Sequence, residues 1–124
     1  MASLESFVKK FFATLDRRDF DTLLLTVDRD AEGIDEITRK WLRGKRAFVE
    51  YVKRIGPEMK NIKSTLRDLH TRQVGGAGIA TFFLHQSYTL SGRRQKLKAP
   101  TTMVFVRRAG DWKLSLFHST PLAD

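Results

Sequence analysis

The sequence predicts an α+β domain in which helices come first and an antiparallel sheet follows. Three observations point there. An amphipathic helical stripe opens the chain, and Gly56-Pro57 marks a change from helical to alternating periodicity. Beyond it, four apolar-alternating segments are separated by short Gly-, Ser- and Asp-containing breaks. The 124 residues suit one domain, residues 1–124, around one core.

The opening stripe is Leu4, Phe7, Val8, Phe11, Phe12 and Leu15, which recur on one helical face. Ser3 is its candidate N-cap, since a hydroxyl there accepts from an otherwise unpaired backbone N–H. The short link Asp16-Arg17-Arg18 implies a tight corner. A second helix starts at Asp19, with Phe20, Leu23, Leu24 and Val27 facing inward. Residues 34–42 read as a short strand. A third helix covers residues 45–55, burying Phe48, Val49, Val52 and Ile55. Gly56 is expected to end it in a left-handed conformation, with Pro57 preventing continuation.

Residues 61–74, 79–90, 94–107 and 112–119 read as strands. Gly75-Gly76-Ala77-Gly78, Ser91-Gly92-Arg93 and Ala109-Gly110-Asp111 supply the reversals between them. Pro100 has no N–H for a ladder, so it marks a bulge or an edge. Alternation puts Phe82, Leu84, Gln86 and Tyr88 on one face. Phe82, Phe83 and Leu84 are consecutive, so both faces of that strand are apolar. The helices cover one face; a second copy of the chain is the simplest cover for the other, which predicts a homodimer. In the last strand, strict alternation groups His118 with Leu114 and Leu116. A one-residue bulge would exchange those faces.

Composition bounds the chemistry. There is no Cys, which removes disulfides, thiolate nucleophiles and Cys-ligated metals. His70, His85 and His118 show no metal-ligand spacing, and no Ser sits in a nucleophile-elbow motif. The Gly-rich break at 75–78 joins two strands and precedes no helix, so it is not a phosphate loop. No metal or other cofactor is called for. The net charge is +9, unevenly spread: residues 1–36 carry five basic and nine acidic side chains, residues 37–124 carry 18 and five. Arg39, Lys40, Arg43, Lys45 and Arg46 form one basic cluster; Arg93, Arg94, Lys96 and Lys98 form another. No nucleic-acid-binding module accompanies them, so a solvated surface is favoured over nucleic-acid binding. The N-terminus lacks a signal-peptide pattern and no apolar run suits a membrane span, so a cytoplasmic protein without membrane attachment is expected.

Three stretches carry a resemblance. They are Leu15-Asp16-Arg17-Arg18-Asp19-Phe20 at the end of the first helix, Trp41-Leu42-Arg43-Gly44-Lys45-Arg46-Ala47-Phe48, and Gly110-Asp111-Trp112-Lys113-Leu114-Ser115-Leu116-Phe117-His118-Ser119. In that order and spacing the chain resembles the nuclear transport factor 2-like superfamily, with its SnoaL-like cyclases and ketosteroid isomerases. The resemblance implies a cone of curved sheet closed by the N-terminal helices, an apolar pocket inside and frequent dimers. It does not imply one activity.

Matched to the isomerases, Asp30-Ala31-Glu32-Gly33-Ile34-Asp35 places Asp35 at the general base. The position of their oxyanion-binding tyrosine holds Phe11, and that of their protonated aspartic acid holds Thr102. With those donors missing or weakened, the resemblance does not carry over steroid isomerisation. Asp35 reads either as the pocket's base or as a loop cap and partner of Arg39. His118 reads either as a packed core residue or as a ligand contact beside Asp35. Trp41 and Trp112 read as packing residues that can line a pocket, and Gln86 and Tyr88 as core or as polar contacts in an apolar chamber. The function this predicts is binding of an apolar small molecule. In an enzymatic version, cofactor-independent isomerase, cyclase or lyase chemistry is run by Asp35 and His118, with Phe11, Trp41, Gln86, Tyr88 and Thr102 around the ligand. The alternative is a non-catalytic homodimeric interaction domain.

Overall fold

The computed structural model describes residues 3–35 and 39–123. In chain order these form α1 (Leu4–Asp16), α2 (Phe20–Leu25), β1 (Val27–Asp35), β2 (Lys40–Arg43) and α3 (Lys45–Ile55), then a 3-10 turn over Gly56–Glu58. β3 (Met59–Val74), β4 (Ala77–Leu90), β5 (Arg93–Arg108) and β6 (Asp111–Ser119) follow. The strands make one curved, open six-stranded sheet in the order β2-β1-β6-β5-β4-β3, with the helices on its concave side. The α+β expectation holds, with two differences. The expected short strand at 34–42 is two strands, β1 and β2, paired antiparallel; its middle, residues 36–38, lies outside the described residues. β1 also pairs parallel with β6, the one parallel pair among the described strands.

α1 forms where the apolar stripe predicts it. Ser3 Oγ accepts from the Ser6 amide at 3.1 Å, satisfying one of the helix's free N–H groups. The stripe lies on the concave face, where Phe12 meets Phe82 edge-to-face at 5.5 Å and Phe7 meets Phe105 at 5.4 Å. Gly78 allows the close approach: a Cβ there would sit 2.7 Å from Leu4 Cδ2 and 3.2 Å from Trp112 Cζ3. The corner after α1 turns at Arg18 (φ 58°). The Arg18 guanidinium donates to the carbonyls of Met59 (2.8 Å) and Gly56 (3.0 Å), tying the corner to the start of β3. Asp19 then caps α2 by accepting from the Thr22 amide. α3 ends as expected at Ile55, but Gly56 is right-handed (φ −52°) and leads into the 3-10 turn with Pro57 in its first turn, so no left-handed cap forms.

The hairpins follow their punctuation. Ser91-Gly92 (φ 49° and 81°) and Ala109-Gly110 (φ 52° and 86°) each place two consecutive residues in the left-handed region, the geometry of a two-residue reversal. Pro100 sits in β5, an interior strand, yet its carbonyl accepts from Thr120, beyond the end of β6. In an antiparallel ladder a residue's N–H and C=O point the same way, so the missing donor faces the segment 120–122, beyond the last ladder pair of β6, where Leu122 donates to the Lys98 carbonyl. β3, at the sheet margin, carries two bulges where Asn61 (φ 53°) and Asp68 (φ 56°) are left-handed and the register shifts. β6 carries another: Val104 pairs with Leu116 but Phe105 pairs with Leu114, leaving Ser115 as the extra residue.

β1 is amphipathic in a way that composition hides. Five of its nine residues are charged, yet Asp28 and Asp35 are buried along with Val27, Ala31 and Gly33. Asp28, 4% exposed, accepts from Arg108 Nε (2.8 Å) and Nη2 (3.3 Å) and from the Asp30 amide (3.2 Å). The hydrogen bond from Arg108, more than the opposing effect of burial, holds the Asp28 carboxyl below its ordinary value. A lowered folded value means stabilisation that is complete above the ordinary carboxylate range and lost as pH falls through the lowered value. Asp28→Asn is therefore expected to lower the urea midpoint at pH 7. The gap between the two proteins should narrow when unfolding is repeated at pH 3.

Candidate functional site

The helices do not fill the concave face. Beneath them lies a cavity of about 200 Å³. Its walls are Phe11, Phe12 and Leu15 of α1, Phe20, Leu23 and Leu24 of α2, and Phe48, Tyr51, Val52 and Ile55 of α3. The sheet contributes Gly33, Leu84, Leu97, Leu114 and Phe117, with Gln86 and Tyr88 further along β4. α3 has no fully buried residue: Phe48 packs against the core, and it, Val52 and Ile55 also border this space. Gly33 keeps β1 close beneath α3: a Cβ would lie 3.1 Å from Phe48 Cζ and 3.3 Å from the Phe117 carbonyl oxygen.

Among the described residues four polar side chains belong to the lining: Asp35, Tyr51, Gln86 and Tyr88. Asp35 ends β1 at 3% exposure, and its carbonyl accepts from the Arg39 amide at 2.7 Å in the turn that follows. Gln86 is held from behind. Its Nε2 donates to Ser64 Oγ at 2.9 Å, and Ser64 is fastened to Asp16 at the end of α1. The Ser64 amide donates to Asp16 Oδ2 (2.9 Å) and the Ser64 hydroxyl to Asp16 Oδ1 (2.7 Å). Among the described residues no Lys or Arg lines the cavity, so they offer no cation to an anionic cofactor. Among the described residues no group of His, Asp and Glu is placed to hold a metal ion.

Of the residues singled out in the sequence, Phe11, Asp35, Gln86 and Tyr88 meet at this cavity. Trp41, Thr102 and His118 do not: they lie on the convex face. Thr102 and His118 are direct cross-strand partners, and the rings of His118 and Trp41 are 6.5 Å apart. Trp41 is 48% exposed, with the Arg43 guanidinium 5.4 Å over its ring. The expected partnership of His118 with Asp35 is therefore corrected. The extra residue Ser115 lets Leu114 and Phe117 both face inward, which turns Leu116 and His118 outward. Trp112 packs as expected, 4% exposed beneath the Arg107 guanidinium at 4.3 Å. Tyr51 is a cavity residue that the sequence reading passed over. Its signal is present, since Phe48, Tyr51, Val52 and Ile55 stand at i, i+3, i+4 and i+7. The second basic cluster lies away from the cavity, with Lys96 and Lys98 exposed on β5.

The sequence profile of the SnoaL-like domain matches residues 4–124. No curated protein matches the chain. Several solved structures share its fold. A candidate aromatic ring hydroxylase from Novosphingobium aromaticivorans superposes with a TM-score of 0.85 at 14% identity, covering 98% of this chain and 87% of that one. A candidate scytalone dehydratase from the same organism gives 0.84 at 14% identity, over 97% and 82%. The CaMKII hub of S. rosetta gives 0.76 at 19% identity, over 98% and 99%. No described helix is long and apolar enough to cross a membrane.

The geometry separates two substitutions that sequence alone would treat alike. Val52→Phe, on the half-buried face of α3, should fill part of the cavity and weaken binding of naphthalene at least tenfold while the protein stays folded. His118→Ala, across the sheet, should change that affinity by less than twofold. Titration calorimetry with circular dichroism as the folding control measures both.

Proposed function

Because the chain belongs to the family of SnoaL-like domains, we propose that it binds an apolar, ring-containing small molecule in the cavity and that Asp35 moves a proton on that ligand. One observation carries this reading: a largely apolar cavity whose wall holds, among the described residues, a single carboxylate. An apolar cavity of about 150 Å³ is enough to take up a benzene-sized molecule, and this one is larger. The hydroxylase and dehydratase candidates that share the fold make ring-containing ligands a consistent choice.

The chemistry follows from what lines the wall. A carboxylate inside an apolar chamber can remove a proton from a carbon beside a carbonyl. The Tyr51 and Tyr88 phenols are the groups able to donate toward the oxygen on which charge develops. In an isomerisation Asp35 returns the proton at another carbon, so the carboxylate is regenerated and nothing else is consumed. Such positioned proton transfer contributes about 10²–10⁴-fold to a rate. Asp35→Asn should lower the rate of deuterium incorporation into a bound cyclic ketone by at least 100-fold in D2O, followed by NMR, with ketone affinity within threefold of wild type. Equal exchange rates would remove the catalytic role and leave a binding protein.

A homodimer formed through the convex face is the second part of the proposal, with or without catalysis. Trp41 is half exposed there, alongside the partly exposed Phe83, Val104 and Leu116, an apolar stripe that solvent does not favour. In sedimentation velocity at micromolar concentration, wild type should run as a dimer and the double variant Trp41→Glu, Leu116→Glu as a folded monomer. A dimer that survives both changes would place the contact elsewhere.

A further inference from the structure

We infer that Gln86 presents its carbonyl oxygen, not its amide protons, to the cavity, and that the ligand therefore carries a hydroxyl or N–H donor at that point. The inference rests on the small-molecule reading above and adds a polarity to it. The chain Asp16–Ser64–Gln86 determines this by counting protons. A carboxylate has none to give, so Asp16 only accepts, and it accepts from both the amide and the hydroxyl of Ser64. Ser64 has one hydroxyl proton and spends it on Asp16. Its Oγ can then only accept from Gln86, which must turn its NH₂ toward Ser64 at 2.9 Å. The orientation of a glutamine amide is ordinarily ambiguous; here the network leaves one choice. Oε1 is the other end of that planar group, and it accepts no hydrogen bond from any described residue.

Gln86 thus supplies an acceptor in a wall that is otherwise mostly hydrocarbon. A ligand placing an O–H or N–H against it gains a hydrogen bond, whereas an ether or a methyl group leaves the carbonyl desolvated and unpaired. Asp16 and Ser64 act as positioning residues: neither lines the cavity, yet together they set what Gln86 offers.

Three probes of one ring system test this: 2-naphthol, 2-methoxynaphthalene, which keeps the oxygen but loses the donor, and 2-methylnaphthalene, which has neither. Wild type should bind 2-naphthol about fivefold to tenfold more tightly than either of the others, the range expected of one neutral hydrogen bond. Gln86→Leu should abolish the preference, weakening 2-naphthol and, with no carbonyl left to desolvate, tightening 2-methylnaphthalene. Asp16→Asn supplies the sharper readout. An asparagine there accepts the Ser64 amide through its oxygen and donates to Ser64 Oγ, which frees the hydroxyl proton for Gln86. The Gln86 amide then reverses, and the preference should move toward 2-methoxynaphthalene. Equal wild-type affinities for the three probes would overturn the assignment while the cavity reading stands. An unchanged preference for 2-naphthol in folded Asp16→Asn would overturn it as well. Failure of all three to bind a folded wild-type protein would overturn the cavity reading and this inference with it.

Discussion

Between Leu114 and Leu116 the last strand carries one residue more than its partner β5, and both faces of the sheet depend on that surplus. Upstream of it, Trp112 and Leu114 point into the core; downstream, Phe117 points into the cavity. Without Ser115 as an unpaired residue, alternation would carry Leu116 and His118 inward and put Phe117 outside. A histidine would then join Asp35 in the chamber. The bulge keeps the cavity apolar along β6 and leaves, among the described residues, one carboxylate, two phenols and one amide as its polar groups. It also moves His118 beside Trp41, so the convex face owes its aromatic character in part to a register shift.

The cavity explains a division of labour among the helices. α1 contributes Leu4, Val8, Phe11 and Phe12 to the core, and glycine at position 78 lets it close on β4. α3 contributes no fully buried residue. A fully buried apolar side chain stabilises by about 1.5–3 kcal/mol, so a helix whose apolar residues border empty space forgoes part of that gain. Full burial is concentrated where α1 meets the sheet, and open space is kept where α3 covers it.

The order of elements, the third helix and the inward row Phe82, Leu84, Gln86, Tyr88 are legible in the sequence. Long segments with one unbroken period state their own face. β1 is not legible, because five charges in nine residues look like a solvated loop. What buries Asp28 is Arg108, 80 residues away in sequence, and no local pattern announces that pair. The position of His118 is illegible for a related reason: a bulge is a property of two strands together, and a strand read alone shows only its own alternation. Tyr51 is a different case, since it completes the helical stripe begun by Phe48. The Asp16–Ser64–Gln86 chain joins three elements through contacts that neither spacing nor period encodes.

The margin of the sheet formed by β3 is 16 residues long, and unpaired backbone of that length invites another strand to add to it. Its two left-handed residues, Asn61 and Asp68, break the row of edge N–H and C=O groups, and the exposed Lys60, Lys63, Arg67 and Arg72 outweigh Asp68 and give it a net positive charge. Chains that approach edge to edge therefore meet a kinked and mutually repelling border. Part of the surplus of positive charge in this sequence acts as insulation. It makes the rim of the sheet an unfavourable place for strand addition, the step by which sheets grow into fibrils.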